Sequence, residues 1–120
     1  MRKVIIAVDV DGTLIRNTNP ETRVHGQPDN DDVPHVPIIN TVMVLSKLFK
    51  NVRIVVWSGG GKDYAALWGH RLGLDDYVWR YASKLEAGEL RKLVDRGNFI
   101  AIDDIQDTEL GDVNLIVRLK

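Results

Sequence analysis

Six residues near the start of the chain, Asp9-Val10-Asp11-Gly12-Thr13-Leu14, carry the sharpest chemical signal in the sequence. Side chains alternate along extended backbone, so Asp9 and Asp11 leave on one side and Val10 on the other. Two carboxylates brought to one site repel, and the arrangement is stable only with a cation beside them or with one carboxyl protonated. A hard divalent ion such as Mg²⁺ suits carboxylate and carbonyl oxygens, and Gly12 lets the backbone turn sharply beside it. The plainer alternative is a turn closing a strand, because Asp, Gly and Thr are ordinary turn residues.

Three later stations could serve the same chemistry. Ser58 is followed by Gly59 and Gly60, a hydroxyl beside flexible backbone. Lys84 lies in Ser83-Lys84-Leu85-Glu86, where Ser83 can accept from the Glu86 amide while the Glu86 carboxylate reaches back, a capping box opening a helix. Asp103-Asp104 follows an apolar run. Lys62 rivals Lys84, but Gly59-Gly60-Gly61-Lys62 is not a Walker phosphate loop, since Asp63 replaces the required Ser or Thr and the leading Gly is missing. His25, His35 and His70 lack metal-ligand spacing and read as surface or packing residues. Asp29, Asp31 and Asp32 read as a hydrophilic loop. Trp57, Trp68 and Trp79 make no stacking platform in the sequence; Trp57, adjoining Ser58, points opposite to it into the core.

Apolar runs and helical periods must position these residues. Runs at 4–8, 54–57, 99–102 and 115–117 are short and rich in Val and Ile, as strands covered on both faces are, and 77–81 is a weaker fifth. A helix is expected over 38–50, with Ile38, Val42, Leu45 and Phe49 at helical spacing behind Pro34 and Pro37. A second is expected from Asp63 as N-cap to Leu72, closed by Gly73, and a third from Ser83 to Gly97 despite Gly88 inside it. The alternation predicts an α/β fold: a single Rossmann-like domain over 1–120, with a mainly parallel sheet of about five strands flanked by helices and its site at the strands' carboxyl ends. Residues 17–37, rich in Pro, Asn and Asp, read as a loop or small flap.

With 120 residues, 44% of them apolar, the chain supports one ordinary core and no second domain. The formal charge of −1 excludes a global basic field that would draw the protein onto nucleic acid, though not a local patch. The absence of Cys excludes thiol nucleophiles and Cys-ligated zinc and fits a reducing compartment, so a soluble cytoplasmic protein is expected. The charged start and the apolar run at 4–8 mimic a signal peptide, but Asp9 and Asp11 interrupt it.

In that order and placement, the four stations resemble the motifs of the haloacid dehalogenase (HAD) superfamily, whose members are mostly Mg²⁺-dependent phosphatases. The resemblance implies that Asp9 attacks phosphorus and forms an aspartyl-phosphate, and that Asp11 protonates the leaving alcohol and then deprotonates water. It also implies that Ser58, Gly59 and Lys84 bind the phosphoryl oxygens together with the Asp9-Val10-Asp11 segment. Mg²⁺ would be held by Asp9, the Asp11 carbonyl, and Asp104 or Asp103. Either acid can be aligned with the metal ligand; Asp104 is favoured, with Asp103 and Asp107 supporting it. The short 17–37 segment points to a capless member whose open site admits a phosphorylated small molecule or macromolecule, a nucleic-acid end included, or is covered by a second subunit. Two rivals stand beside hydrolysis: a phosphoaccepting receiver-like signalling domain, and a noncatalytic Mg²⁺-binding interaction domain.

Overall fold

Strand β1 (Val4–Asp9) divides its side chains between two cores. Ile6 and Val8 enter one apolar cluster, Ile5 and Ala7 the other. Strand β4 (Val52–Ser58) repeats the division, Ile54 and Val56 on one face and Val55 and Trp57 on the other. A strand buried on both faces belongs inside a sheet covered by helices, which explains the unbroken apolar runs. The structure is a computed structural model describing residues 2–16, 28, 32–104 and 110–117.

With β5 (Arg80–Ser83), β6 (Phe99–Asp103) and β7 (Val113–Ile116), these strands form a five-stranded sheet in the order β5-β4-β1-β6-β7, every pairing parallel. Helices α1 (Val36–Leu48) and α2 (Lys62–Arg71) supply Ile39, Val42, Tyr64, Ala65 and Trp68 to one face. On the other, α3 (Ala87–Arg91) contributes Leu90 beside Phe99 and Trp57, whose rings meet edge to face at 5.7 Å. The result is the expected α/β, Rossmann-like architecture. A two-stranded antiparallel ribbon, β2 (Ile15–Arg16) with β3 (Val33–Pro34), forms the base of the 17–37 segment, whose interior lies outside the described residues.

Several boundaries differ from expectation for local reasons. The fifth strand is at 80–83 rather than 77–81, because the chain first completes a turn: Gly73, at φ +71°, closes α2 with its amide on the His70 carbonyl, the Leu74 amide on Gly69, and the Tyr77 amide on Leu74. The last strand, at 113–116, lies earlier than 115–117, and α1 runs from 36 to 48 rather than 38 to 50, with Pro37 in its first turn. Asp63 is not the N-cap of α2; Gly61 holds that position, and Asp63 lies in the first turn without a capping bond. The third helix begins as expected, with both arms of the Ser83–Glu86 box formed. It opens with a 3₁₀ turn (Lys84–Glu86) and stops at Arg91, well before Gly97. Leu90 alone is buried on it, too little to offset Gly88 and extend the helix. Gly97 donates instead to Asp112 Oδ2 at 2.8 Å. No helix among the described residues is long and apolar enough to cross a membrane.

Candidate functional site

From β1 the chain moves outward to β4 and β5, then returns across β1 to β6. The sheet therefore reverses its direction of growth between β1 and β6, and the connections leaving their carboxyl ends diverge. A crevice at such a switch point is where open parallel sheets hold ligands. The register makes the tips level. Asp9 pairs with Trp57, Val8 with Ile102, and Ser58 with Ser83, so Asp9, Ser58, Lys84 and Asp103 all emerge at one rim.

Asp9 is only 4% exposed, and its Oδ1 lies 3.1 Å from Lys84 Nζ. The same ammonium donates to Asp103 Oδ2 at 2.7 Å. Carboxylate oxygens of Asp9, Asp103 and Asp104 all lie within 4.8 Å of one another. Burial opposes ionisation of Asp9 more than Lys84 promotes it, and with Asp103 and Asp104 adding repulsion, its carboxyl is pushed up to about 8. Asp104 is raised to about 6 by partial burial and by its hydrogen bond and repulsion from Asp103. Burial works against the Lys84 ammonium too, but the Asp9 and Asp103 carboxylates outweigh it and hold it above its ordinary value. With their protons displaced, the three carboxylates against the Lys84 ammonium would carry two net negative charges, the balance that a divalent ion with oxygen preference supplies.

The turn after β1 is built to admit Asp104. Amides of Thr13, Leu14 and Ile15 all converge on the Val10 carbonyl, and the Gly12 amide donates to Ile15 at 2.8 Å. Gly12 has φ +78°, a conformation that side-chain-bearing residues rarely adopt, and a Cβ there would press on the Asp104 carboxylate, so glycine suits the point where the first turn meets the acid after β6. His35 braces the turn from outside, its Nδ1 on the Thr13 carbonyl at 3.0 Å and its amide on Leu14. The Val10 side chain is fully buried in the core, leaving only its backbone for the pocket.

The side chain of Asp11 does not join the acidic group. Asp9 shares its site with Asp103 and Asp104, whereas Asp11 Oδ1 accepts from the Tyr64 hydroxyl at 2.7 Å. The two acids of the first motif therefore have different side-chain partners, which alternation along a strand does not suggest. Tyr64, on α2 and 4% exposed, is a site residue that the sequence reading does not single out, because nothing local shows where its hydroxyl reaches. Buried Ser58 accepts from the Gly60 amide at 2.9 Å, which leaves its own O–H to be donated. Gly59 is exposed beside it. No protein-family model matches this chain, and no curated protein matches it.

Other sequence candidates fall elsewhere. Lys62 opens α2 and is exposed, while Lys84 stands among the acids. His70 contacts Asp75, away from the rim. Trp57 is fully buried, as its parity required. His25, Asp29, Asp31 and Asp107 lie outside the described residues, while Asp103 and Asp104 are both within the acidic group.

Proposed function

We propose that the protein is a Mg²⁺-dependent phosphomonoester hydrolase working through an aspartyl-phosphate on Asp9. The observation that carries this reading is the buried Asp9 carboxylate at the sheet's switch point, facing a lysine and two further acids. The donor set suits a hard divalent cation: Asp9, Asp103 and Asp104 would hold it with the Asp11 carbonyl, and it would neutralise the acids and the phosphoryl oxygens together.

The chain's own groups supply the remaining chemistry. An Asp9 oxygen attacks phosphorus, forming a P–O bond as the ester P–O bond breaks and the alcohol leaves with its electron pair. Asp11 gives that alcohol a proton. The Tyr64 hydroxyl donates to Asp11 Oδ1 and orients the carboxyl for that transfer. In the second half, Asp11 removes a proton from water, which attacks phosphorus and releases inorganic phosphate and the Asp9 carboxylate. Splitting the displacement in two lowers each barrier, and donors fixed in advance at Ser58, the Gly59 amide and Lys84 meet the charge that develops on the phosphoryl oxygens.

Hydrolysis of an aryl phosphate tests the assignment, with Mg²⁺, with EDTA, and with the Asp9→Asn variant. The expected result is turnover abolished by chelation and by substitution. Unchanged activity in the variant rejects Asp9 as nucleophile, and a stable phosphoprotein without turnover favours a receiver-like domain.

A further inference from the structure

The opposite end of the sheet carries a second concave surface. Because α3 stops after five residues, the chain behind it, Leu93 and Val94, leaves a cleft against the amino ends of β1 and β4. One recess, about 110 Å³, is walled by Ile5, Trp79, Lys3 and Arg53. An adjoining recess, about 230 Å³, shares Lys3, Leu93 and Val94 and continues past Arg2 and Lys92 to Asp95. Asp95 is itself paired with Arg2 at 3.5 Å. Trp79 is 43% exposed, and the Arg80 guanidinium lies 4.5 Å from its ring centroid. In a chain of net charge −1, this is a local excess of cations around an aromatic wall.

We propose that this groove binds single-stranded polynucleotide, with one base seated on Trp79 and the neighbouring phosphates along Lys3, Arg53 and Lys92. A polyanion satisfies the cations, and a ring satisfies the apolar recess; bases alternating with phosphates offer both at short spacing. The cations run on beyond the recess that would take the base, which favours a strand over a single nucleotide. The surface is concave rather than a protruding apolar face, which disfavours a membrane.

Tryptophan fluorescence reads the site directly, because Trp57 and Trp68 are buried and Trp79 is exposed. The ligand is an oligothymidylate of about 10 nucleotides with hydroxyls at both ends, in EDTA, so that the acidic rim is not engaged and the result is independent of the phosphatase reading. Saturable quenching is expected. Neutralising about three phosphates on a single strand makes a fourfold rise in salt weaken binding roughly 10- to 20-fold. The Lys3→Glu/Lys92→Glu variant, with an unchanged circular dichroism spectrum, should bind at least tenfold more weakly. Trp79→Phe should lose the quenching yet still bind a labelled oligomer by anisotropy. Absence of binding, equal binding by the charge-reversed variant, equal quenching by thymidine monophosphate, or preference for anionic vesicles each overturns the proposal.

Discussion

The two ends of one sheet offer opposite solutions to holding charge. At the carboxyl rim, Asp9 and Asp103 are almost wholly buried, Lys84 lies between them, and a turn bending at Gly12 brings in Asp104. At the amino rim, Lys3, Lys92 and Trp79 stand at the surface around an open groove. Buried charge is expensive and survives only with partners at close range, and in the first region Lys84 supplies them. Exposed charge is cheap and screened, so in the second each cation attracts only weakly and several must act together.

Substitutions at the two rims should separate these roles. The largest effect is expected from Asp9→Asn: at least about 1,000-fold loss of kcat for aryl phosphate hydrolysis, because the proposed covalent intermediate forms on its carboxylate. Retained kcat would remove the contrast altogether. Next comes Lys84→Ala, which leaves the buried Asp9 and Asp103 carboxyls without their cation and should cost about 3–5 kcal/mol in urea unfolding without divalent ions above about pH 8, where both are ionised, and less below it, where Asp9 keeps its proton. Added Mg²⁺ should recover part of that loss; a variant as stable as the parent would mean that the rim is not electrostatically strained.

The pH dependence follows from Asp9. Its carboxyl, raised from 3.8 to about 8, keeps its proton when folded over a range where the unfolded chain has lost it. Stability without metal should therefore fall as pH rises through that window and level off above it. Mg²⁺, which displaces the proton, should flatten the melting temperature against pH. Melting temperatures that rise between pH 5 and 8 without metal would contradict the burial assigned to Asp9.

A smaller effect is expected from Tyr64→Phe, which removes one hydrogen bond to Asp11. kcat should drop roughly tenfold with KM little changed, in keeping with about 1.5 kcal/mol for a bond to a charged group. The smallest belongs to the amino rim: Lys3→Glu should leave kcat and KM for a small aryl phosphate unchanged, and any substantial loss would show that the two ends communicate.

Much of the carboxyl rim was legible in the chain because its parts are local. The Ser83–Glu86 box is a contact across three residues, and both arms formed. Apolar runs flanked by acids placed Asp9 and Asp103 at strand tips. Elsewhere local rules did not decide: the N-cap of α2 is Gly61, at φ +107°, rather than Asp63, and the third helix ends early for lack of apolar anchors. Asp11 was grouped with Asp9 by alternation along a strand, but the chain leaves β1 at Asp9 and the alternation ends there.

The sequence by itself determined the α/β layering, the sheet with both faces covered, and the residue types at the strand ends, because periodicity and capping act over a few residues. Only the tertiary structure decided that Tyr64 reaches Asp11 across 53 positions, that Asp104 touches Gly12, and that Lys3, Arg53, Trp79 and Lys92 share a groove. Those contacts depend on strand order and register, which join segments remote in the chain and leave no local pattern in any one of them.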